Sequence, residues 1–416
     1  MTTGELSDDL WRDLAPQVLG AVVRRYGDFG IAEDAVQEAL IAAATQWPEQ
    51  GLPDNPKAWL ITVASRRFVD QRRSDQARDR REVDAARKAP ADELVSAAPD
   101  AGPVDQDDTL TSLLLCCHPA LTPPSQIALT LRTVGGLTTA QIARAFLLPE
   151  STLAQRISRA KASIRQAGAR FELPPESERP ERMRTALQVL YLIFNEGYTS
   201  TAGPELHDVL LTREAIRLTR QARELLPRDG EVAGLLALML LTDARRPART
   251  RPDGALVPLA EQDRTRWDRQ LIDEGVELIS DTLTWAPLGP YQLQAAIAAV
   301  HDEVASSDAT DWRQILELYR LLDHFSPGPM VTLGHAVAAA MVRGPDEGLA
   351  MLRPLDDDRR FARNHRLHAV RGHLLEMADD RSAAYDEYDL AARLATSIPE
   401  QDYLRGKADD CARDRD

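Results

Sequence analysis

The sequence has few of the residues that stabilise secreted or membrane proteins. Three of its 416 residues are cysteine, and two of these, Cys116 and Cys117, are neighbours, so no disulfide framework can be built. The longest nearly apolar run, residues 232–241, is about half of what a bilayer span requires. The first thirty residues lack the basic, apolar and small segments of a secretory signal. We therefore expect a cytoplasmic protein without a membrane segment.

The excess of negative charge at first argues against a nucleic-acid partner. There are 65 acidic and 50 basic residues, which gives a formal net charge of −15. However, residues 66–88 carry nine basic and five acidic side chains, and residues 132–170 carry seven basic side chains and one acidic. Between them, residues 92–108 carry six acidic side chains and no basic one. The net charge of the whole chain does not describe the electrostatic potential at single segments, so the two basic segments remain candidate DNA-binding surfaces.

The spacing of apolar residues predicts an all-α protein. Intervals of three or four residues separate the members of two sets: Trp11, Leu14, Val18, Val22 and Tyr26, then Val36, Leu40, Ala43 and Trp47. Asn55-Pro56 supplies a cap and a first-turn proline for a third helix. After Pro174-Pro175 the chain is rich in Ala and Leu at helical spacing, with little strand signal.

Residues 138–166 have the dimensions of a helix-turn-helix. Thr138 and Gln141 form a capping-box pattern, and Pro149 precedes a second helix that would enter a DNA major groove. Leu147 stands where such turns usually place glycine. Because a positive φ is strained for leucine, we expect an altered turn.

Changes in composition predict four segments: a helical domain (1–88), an acidic flexible linker (89–109), a helix-turn-helix domain (110–172) and a C-terminal all-α domain (181–416). In the last, five residues resemble the small-and-aromatic pattern of a tetratricopeptide repeat: Ala383, Ala384, Tyr388, Ala391 and Ala392. Since no strict 34-residue period is found, a degenerate helical-repeat domain is the prediction.

Several stretches also carry a family resemblance. Residues 31–39 (IAEDAVQEA), 55–60 (NPKAWL) and 66–73 resemble, in order and spacing, sigma domain 2 of the extracytoplasmic-function (ECF) group of the sigma-70 family. Residues 142–161 resemble sigma domain 4. Four further stretches resemble the sigma subgroup with a long C-terminal extension: 191–198, 234–241, 262–268 and 289–299. The resemblance implies a non-catalytic subunit that binds core RNA polymerase and promoter DNA.

The resemblance assigns roles to three sets of residues. It implies that polymerase is contacted by Asp34, Gln37 and Glu38. It implies contact with the promoter −10 element by Arg66, Arg67, Arg72 and Arg73, and capture of a flipped base by the loop 47–55. It implies contact with the −35 element by Thr152, Gln155, Arg156, Arg159 and Lys161. Many family members have asparagine in place of Arg66, which leaves the base preference at −10 open.

Each set also has a simpler interpretation as a solvated, charged helix face. A polymerase-independent helix-turn-helix regulator with a repeat-type sensor domain is therefore an alternative function. A third is an enzyme that uses His365, His368 and His373. No cofactor or metal is expected, because these histidines lack a His-Glu-x-x-His pattern and Cys116-Cys117-His118 lacks a second ligand pair.

The C-terminal domain has its own implied role. In the resembling subgroup this extension regulates the sigma factor in cis, which would require contact with domains 2 and 4 or with an unknown protein. Residues 181–416 carry about −11 of the net charge by count, against about −4 for residues 1–180. An acidic domain tethered to basic DNA-binding surfaces would shield them electrostatically.

Overall fold

The computed structural model describes residues 8–84, 108–356, 361 and 364–413. Over these residues the chain forms eighteen α-helices and, apart from two isolated bridges, no β-structure, which confirms the predicted all-α class. The helices are α1 Asp8–Tyr26, α2 Phe29–Gln50, α3 Pro56–Asp84, α4 Thr109–Cys116, α5 Pro123–Thr133, α6 Thr139–Ala145, α7 Glu150–Gln166, α8 Arg179–Tyr198, α9 Val209–Leu225, α10 Gly230–Ala244, α11 Arg269–Trp285, α12 Pro290–Asp302, α13 Trp312–Phe325, α14 Pro329–Arg343, α15 Pro345–Leu352, α16 His365–Met377, α17 Arg381–Leu394 and α18 Ile398–Arg413. None of these described helices combines the length and the apolar character needed to cross a bilayer.

The chain divides into two compact units, Met1–Leu190 and Tyr191–Asp416. In the first, α1 packs against α2 and α3, and the ring of Tyr26 stacks on Phe68 at 4.5 Å between centroids. Asn55 starts α3 as predicted, because its Oδ1 accepts a hydrogen bond from the Ala58 amide at 2.9 Å.

Helices α6 and α7 form the predicted helix-turn-helix, and α5 packs against both. The predicted capping box is present: the Thr138 hydroxyl accepts from the Gln141 amide at 3.1 Å, and Gln141 Oε1 accepts from the Thr138 amide at 2.8 Å. Leu147 adopts a φ of +50°, and the Leu148 amide closes the turn onto the Ala143 carbonyl at 2.8 Å. The expectation of an altered turn was therefore wrong: the turn keeps the left-handed conformation that glycine would supply, and leucine carries the strain.

In the second unit, most helices pack on the next helix in sequence, as in helical-repeat proteins. Four of the five residues predicted for the small-and-aromatic face of α17 are buried, and Ala383 is half-buried. Tyr388 packs so closely on Gly372 that a Cβ added to Gly372 would lie 2.9 Å from the tyrosine ring. The Ile398 amide donates to the Gly203 carbonyl at 3.0 Å. This bond ties the start of the last helix to the beginning of the unit.

Candidate nucleic-acid and polymerase interface

Helix α7 presents a polar face on a firmly packed support. Its apolar residues recur every three or four positions and are all buried: Leu153, Ile157, Ala160 and Ile164. On its other side Thr152, Gln155 and Arg159 are exposed and Arg156 is half-buried. Amide and guanidinium groups on one face of a helix are the donors and acceptors that read base edges in a major groove.

The fifth predicted −35 residue, Lys161, points elsewhere. Its amine lies 2.6 Å from Oδ1 of Asp34 and 2.9 Å from Oε2 of Glu33, both on α2, and its side chain is 12% exposed. Burial alone would lower the pKa of Lys161, but the two carboxylates outweigh it and raise the pKa above its usual value. In this conformation its charge is directed to protein carboxylates.

Helix α3 carries the predicted −10 arginines on its solvent side. Arg66, Arg67, Arg72 and Arg73 are exposed, while Ala64 and Phe68 of the same helix are buried. Arginine forks bind phosphate oxygens in a bidentate manner, and several on one helix would position a DNA backbone along it.

The predicted polymerase-binding residues lie on α2. The sequence analysis did not single out their neighbour Glu33. Asp34 and Glu38 are exposed and Gln37 is half-buried. Glu33, by contrast, is 2% exposed and accepts from Nε of Arg132 at 3.2 Å as well as from Lys161. Glu33 stands three residues before the buried Val36, and this helical spacing indicates that Glu33 lies on the buried face of α2. A carboxylate on a buried face requires partners for its charge.

Comparison with known families shows which segments of the chain match a described family. Family models match three segments: Sigma-70 region 2 at residues 10–78, Sigma-70 region 4 at residues 111–164, and a family of unknown function (DUF6596) at residues 182–283. The ECF RNA polymerase sigma factor SigK of Mycobacterium tuberculosis is 34% identical over 155 residues, which are 36% of this chain and 78% of SigK. The chain belongs to the ECF group of the sigma-70 family.

Two other relatives define how far the similarity extends. The probable ECF RNA polymerase sigma factor SigI of M. tuberculosis is 31% identical over 41% of this chain, and the match spans 58% of SigI. An uncharacterized protein of Rhizobium meliloti is 40% identical over 98% of this chain and 97% of its own length. No solved structure matches the chain. Membership of the ECF family makes the chain a non-enzymatic factor for transcription initiation.

The loop implied to hold a flipped base is shorter than expected in this ECF factor. Helix α2 continues to Gln50, and Trp47 is 3% exposed, stacked on Trp11 at 4.8 Å and edge-on to Trp59 at 5.5 Å. Trp47 is therefore a core residue, and the segment between the helices is reduced to residues 51–55.

Several of the cysteines and histidines considered for chemistry make contacts within the protein. Cys116 Sγ lies 2.9 Å from the Thr133 hydroxyl, and burial raises the pKa of both neighbouring thiols, that of Cys117 to about 12. Nδ1 of His368 lies 2.6 Å from Oε2 of Glu387. Thiols with raised pKa values are poor nucleophiles at neutral pH.

The predicted acidic linker lies outside the described residues except at its end. Asp108, its last acidic residue, is buried and forms an ion pair with Arg24 of α1. It sits directly on Gly20, where any added Cβ would collide with the Asp108 side chain. The residue that precedes α4 is therefore fixed to α1.

Proposed function

We propose that this ECF factor acts in the cytoplasm and directs core RNA polymerase to promoters through three helix faces. On α2 the polymerase contacts are Asp34, Gln37 and Glu38. On α3 the −10 contacts are Arg66, Arg67, Arg72 and Arg73. On α7 the −35 contacts are Thr152, Gln155, Arg156 and Arg159, with Lys161 nearer the DNA backbone once it is released from α2.

The observation that carries this proposal is the exposure of charged and amide side chains on α3 and α7, the helices that lie in the matched sigma segments. The opposite face is buried on α7 and, as far as Phe68, on α3, so these polar side chains are held on a packed support. A support of this kind would hold the donors in place for contact with a DNA backbone or with base edges.

We further propose that residues 191–416 regulate the sigma domains in cis. Most of the excess negative charge lies C-terminal to residue 180, and the relative from R. meliloti retains the similarity over nearly its whole length. An acidic unit would compete with DNA for the basic faces of α3 and α7, most strongly at low salt.

In vitro transcription with purified core polymerase tests both parts. The template is a library of genomic fragments from the host, and the full chain is compared with a chain that ends after Tyr198, which keeps α8 whole. We expect promoter-dependent initiation by at least one of the two, and stronger initiation by the shorter chain at low salt. Absence of initiation with both would refute the sigma assignment, and equal activity would refute shielding.

A gel-shift assay on the selected promoters separates this proposal from a polymerase-independent regulator. If the chain acts as a sigma factor, we expect a specific shift of promoter DNA with core polymerase present and little shift with the chain alone. Tight duplex binding by the chain alone would favour the regulator instead.

A further inference from the structure

Leu147, in the turn between α6 and α7, has an unfavourable backbone conformation. Its φ of +50° lies in the left-handed region, which glycine adopts freely but which brings the Cβ of leucine close to the following carbonyl oxygen. Asp379 is the other residue besides glycine with a positive φ in the described part of the chain. Aspartate tolerates this region because its side chain hydrogen-bonds locally, so Leu147 is the more strained of the two.

The side chain of Leu147 is also exposed to water. Leu147 is 57% exposed, whereas its neighbours Phe146 and Leu148 are half-buried. Leu173 is the other exposed large apolar residue described between residues 108 and 190. Glycine would form the same turn without strain and without exposed apolar surface. Leucine is therefore doubly unfavourable in the free chain, and an apolar contact made in a complex would offset this.

The position of the turn indicates which complex this is. The Leu147 amide donates to the Arg144 carbonyl at 3.1 Å, and α7 begins three residues later at Glu150. Three residues span at most about 10 Å. The N-terminal residues of a recognition helix lie closest to base edges, and those of α7, which include Ser151 and Thr152, are exposed. Leu147 therefore stands at the edge of the surface that would face a major groove.

We propose that Leu147 contacts the 5-methyl group of a thymine in the −35 element. This methyl group is the apolar feature that base pairs present in the major groove, and apolar side chains pack against it. Gln155, Arg156 and Arg159 would hydrogen-bond to base edges or phosphates, and such bonds do not recognise a methyl group. Leu147 would add this discrimination. The inference rests on the proposed function, because that function places α7 on the −35 element.

Replacement of thymine by deoxyuridine tests the contact, because it removes the 5-methyl group and leaves every hydrogen-bonding group in place. Promoters with a thymine at each −35 position in turn, on either strand, are compared with their deoxyuridine counterparts. We expect the holoenzyme with the wild-type chain to lose about fourfold in affinity at one position, the effect of removing one buried methyl group. No loss at any position would overturn the proposal.

Three variants assign the effect to a residue. Leu147→Gly should bind the thymine promoter as weakly as the wild type binds the deoxyuridine promoter, and should not respond to deoxyuridine. Leu147→Met keeps an apolar side chain and should retain the response. Leu173→Ala truncates the other exposed leucine and serves as the matched control. An equal response to deoxyuridine in Leu147→Gly and the wild type would assign the methyl group to another residue and overturn the proposal.

Hydrogen exchange of α6 and α7 checks the fold of Leu147→Gly. Because glycine takes a positive φ without strain, we expect protection of these helices at least equal to that of the wild type. A loss of promoter affinity in this variant then reports the missing side chain.

Core binding measured without DNA distinguishes a DNA contact from a protein contact. Leu147→Gly should bind core polymerase as tightly as the wild type does. Weaker binding would show that Leu147 contacts polymerase, and the proposal would be wrong. If the wild-type holoenzyme binds no promoter, the proposed function fails. If it binds promoters and only the response to deoxyuridine is absent, the thymine contact alone is refuted.

Discussion

Nε of Arg67 on α3 lies 3.4 Å from Oε2 of Glu38 on α2. The pair joins one residue assigned to the −10 element with one assigned to polymerase. Because both side chains are about half exposed, the interaction is screened by water and either group can be exchanged for an external partner at little cost. Glu38 is thus available to an external partner. The side chain of Asp34 is as exposed, at 59%, but its Oδ1 accepts from the buried Lys161 at 2.6 Å.

The first prediction uses this difference between the two acidic residues. Glu38→Gln should weaken association with core polymerase by about 1 kcal/mol, roughly fivefold, because it removes one charge from an exposed contact. Asp34→Asn should have a smaller effect, since the charge that it removes is already partly neutralised by the ion pair with Lys161. Fluorescence anisotropy with core polymerase, without DNA, measures both. Wild-type affinity of Glu38→Gln would remove Glu38 from the interface.

The second prediction concerns base recognition by α7. Arg156→Ala should weaken −35 recognition by roughly 1 to 3 kcal/mol at one base pair, because a guanidinium group reads guanine through two hydrogen bonds. Holoenzyme binding to a set of single-base −35 variants measures this. An equal loss for every variant would show that Arg156 contacts phosphate rather than a base.

Local signals in the sequence predicted the helices well. The caps at Asn55 and Thr138, and the apolar register of α7, depend on residues three or four apart and are readable from the chain alone. The burial of Trp47 followed from its place in the apolar spacing of α2, whereas the burial of Glu33 was missed because it depends on partners distant in sequence, Arg132 and Lys161. Exposed charge on α3 and α7 followed from the pattern. The ion pairs between separate helices could not be predicted in this way, because a single sequence does not show which helices lie close together.

The third prediction concerns the buried ion pair in the second unit. Nε of Arg245 lies 2.7 Å from Oδ1 of Asp302, which is fully buried, and Arg245 also donates to the Ala298 carbonyl at 3.0 Å. Asp302→Ala should destabilise this unit by about 3 to 5 kcal/mol, because it leaves a buried guanidinium without a counter-charge. Hydrogen exchange of α10 and α12 in the full chain measures the loss.

An exposed pair in the same unit provides the control. Nη1 of Arg320 and Oε1 of Glu317 are 2.5 Å apart, but the two side chains are 42% and 64% exposed. Glu317→Gln should therefore cost less than about 1 kcal/mol. Comparable losses for Asp302→Ala and Glu317→Gln would show that burial does not set the strength of these pairs.

The last prediction is the response of the second unit to acid. Burial, reinforced by Arg245 and Arg264, lowers the pKa of His301 to about 3. An unfolded chain would take up this proton near pH 6.5, so the unfolded state binds more protons between about pH 6.5 and pH 3. The stability of the unit should therefore fall as the pH falls through that window. His301→Gln removes this proton uptake but also the edge-on packing of the ring on Trp312 at 5.3 Å.

Measurements at two pH values distinguish the loss of proton uptake from the loss of ring packing in His301→Gln. At pH 7.5 the variant should be less stable than the wild type, because only the packing is lost. Between pH 7.5 and pH 5.5 the difference should shrink by about 1 kcal/mol, because only the wild type is penalised by proton uptake at this position. Hydrogen exchange of α12 at both pH values provides the measurement. A constant difference would mean that His301 has an ordinary pKa in the folded protein and that its environment is wetter than the packing of α12 implies.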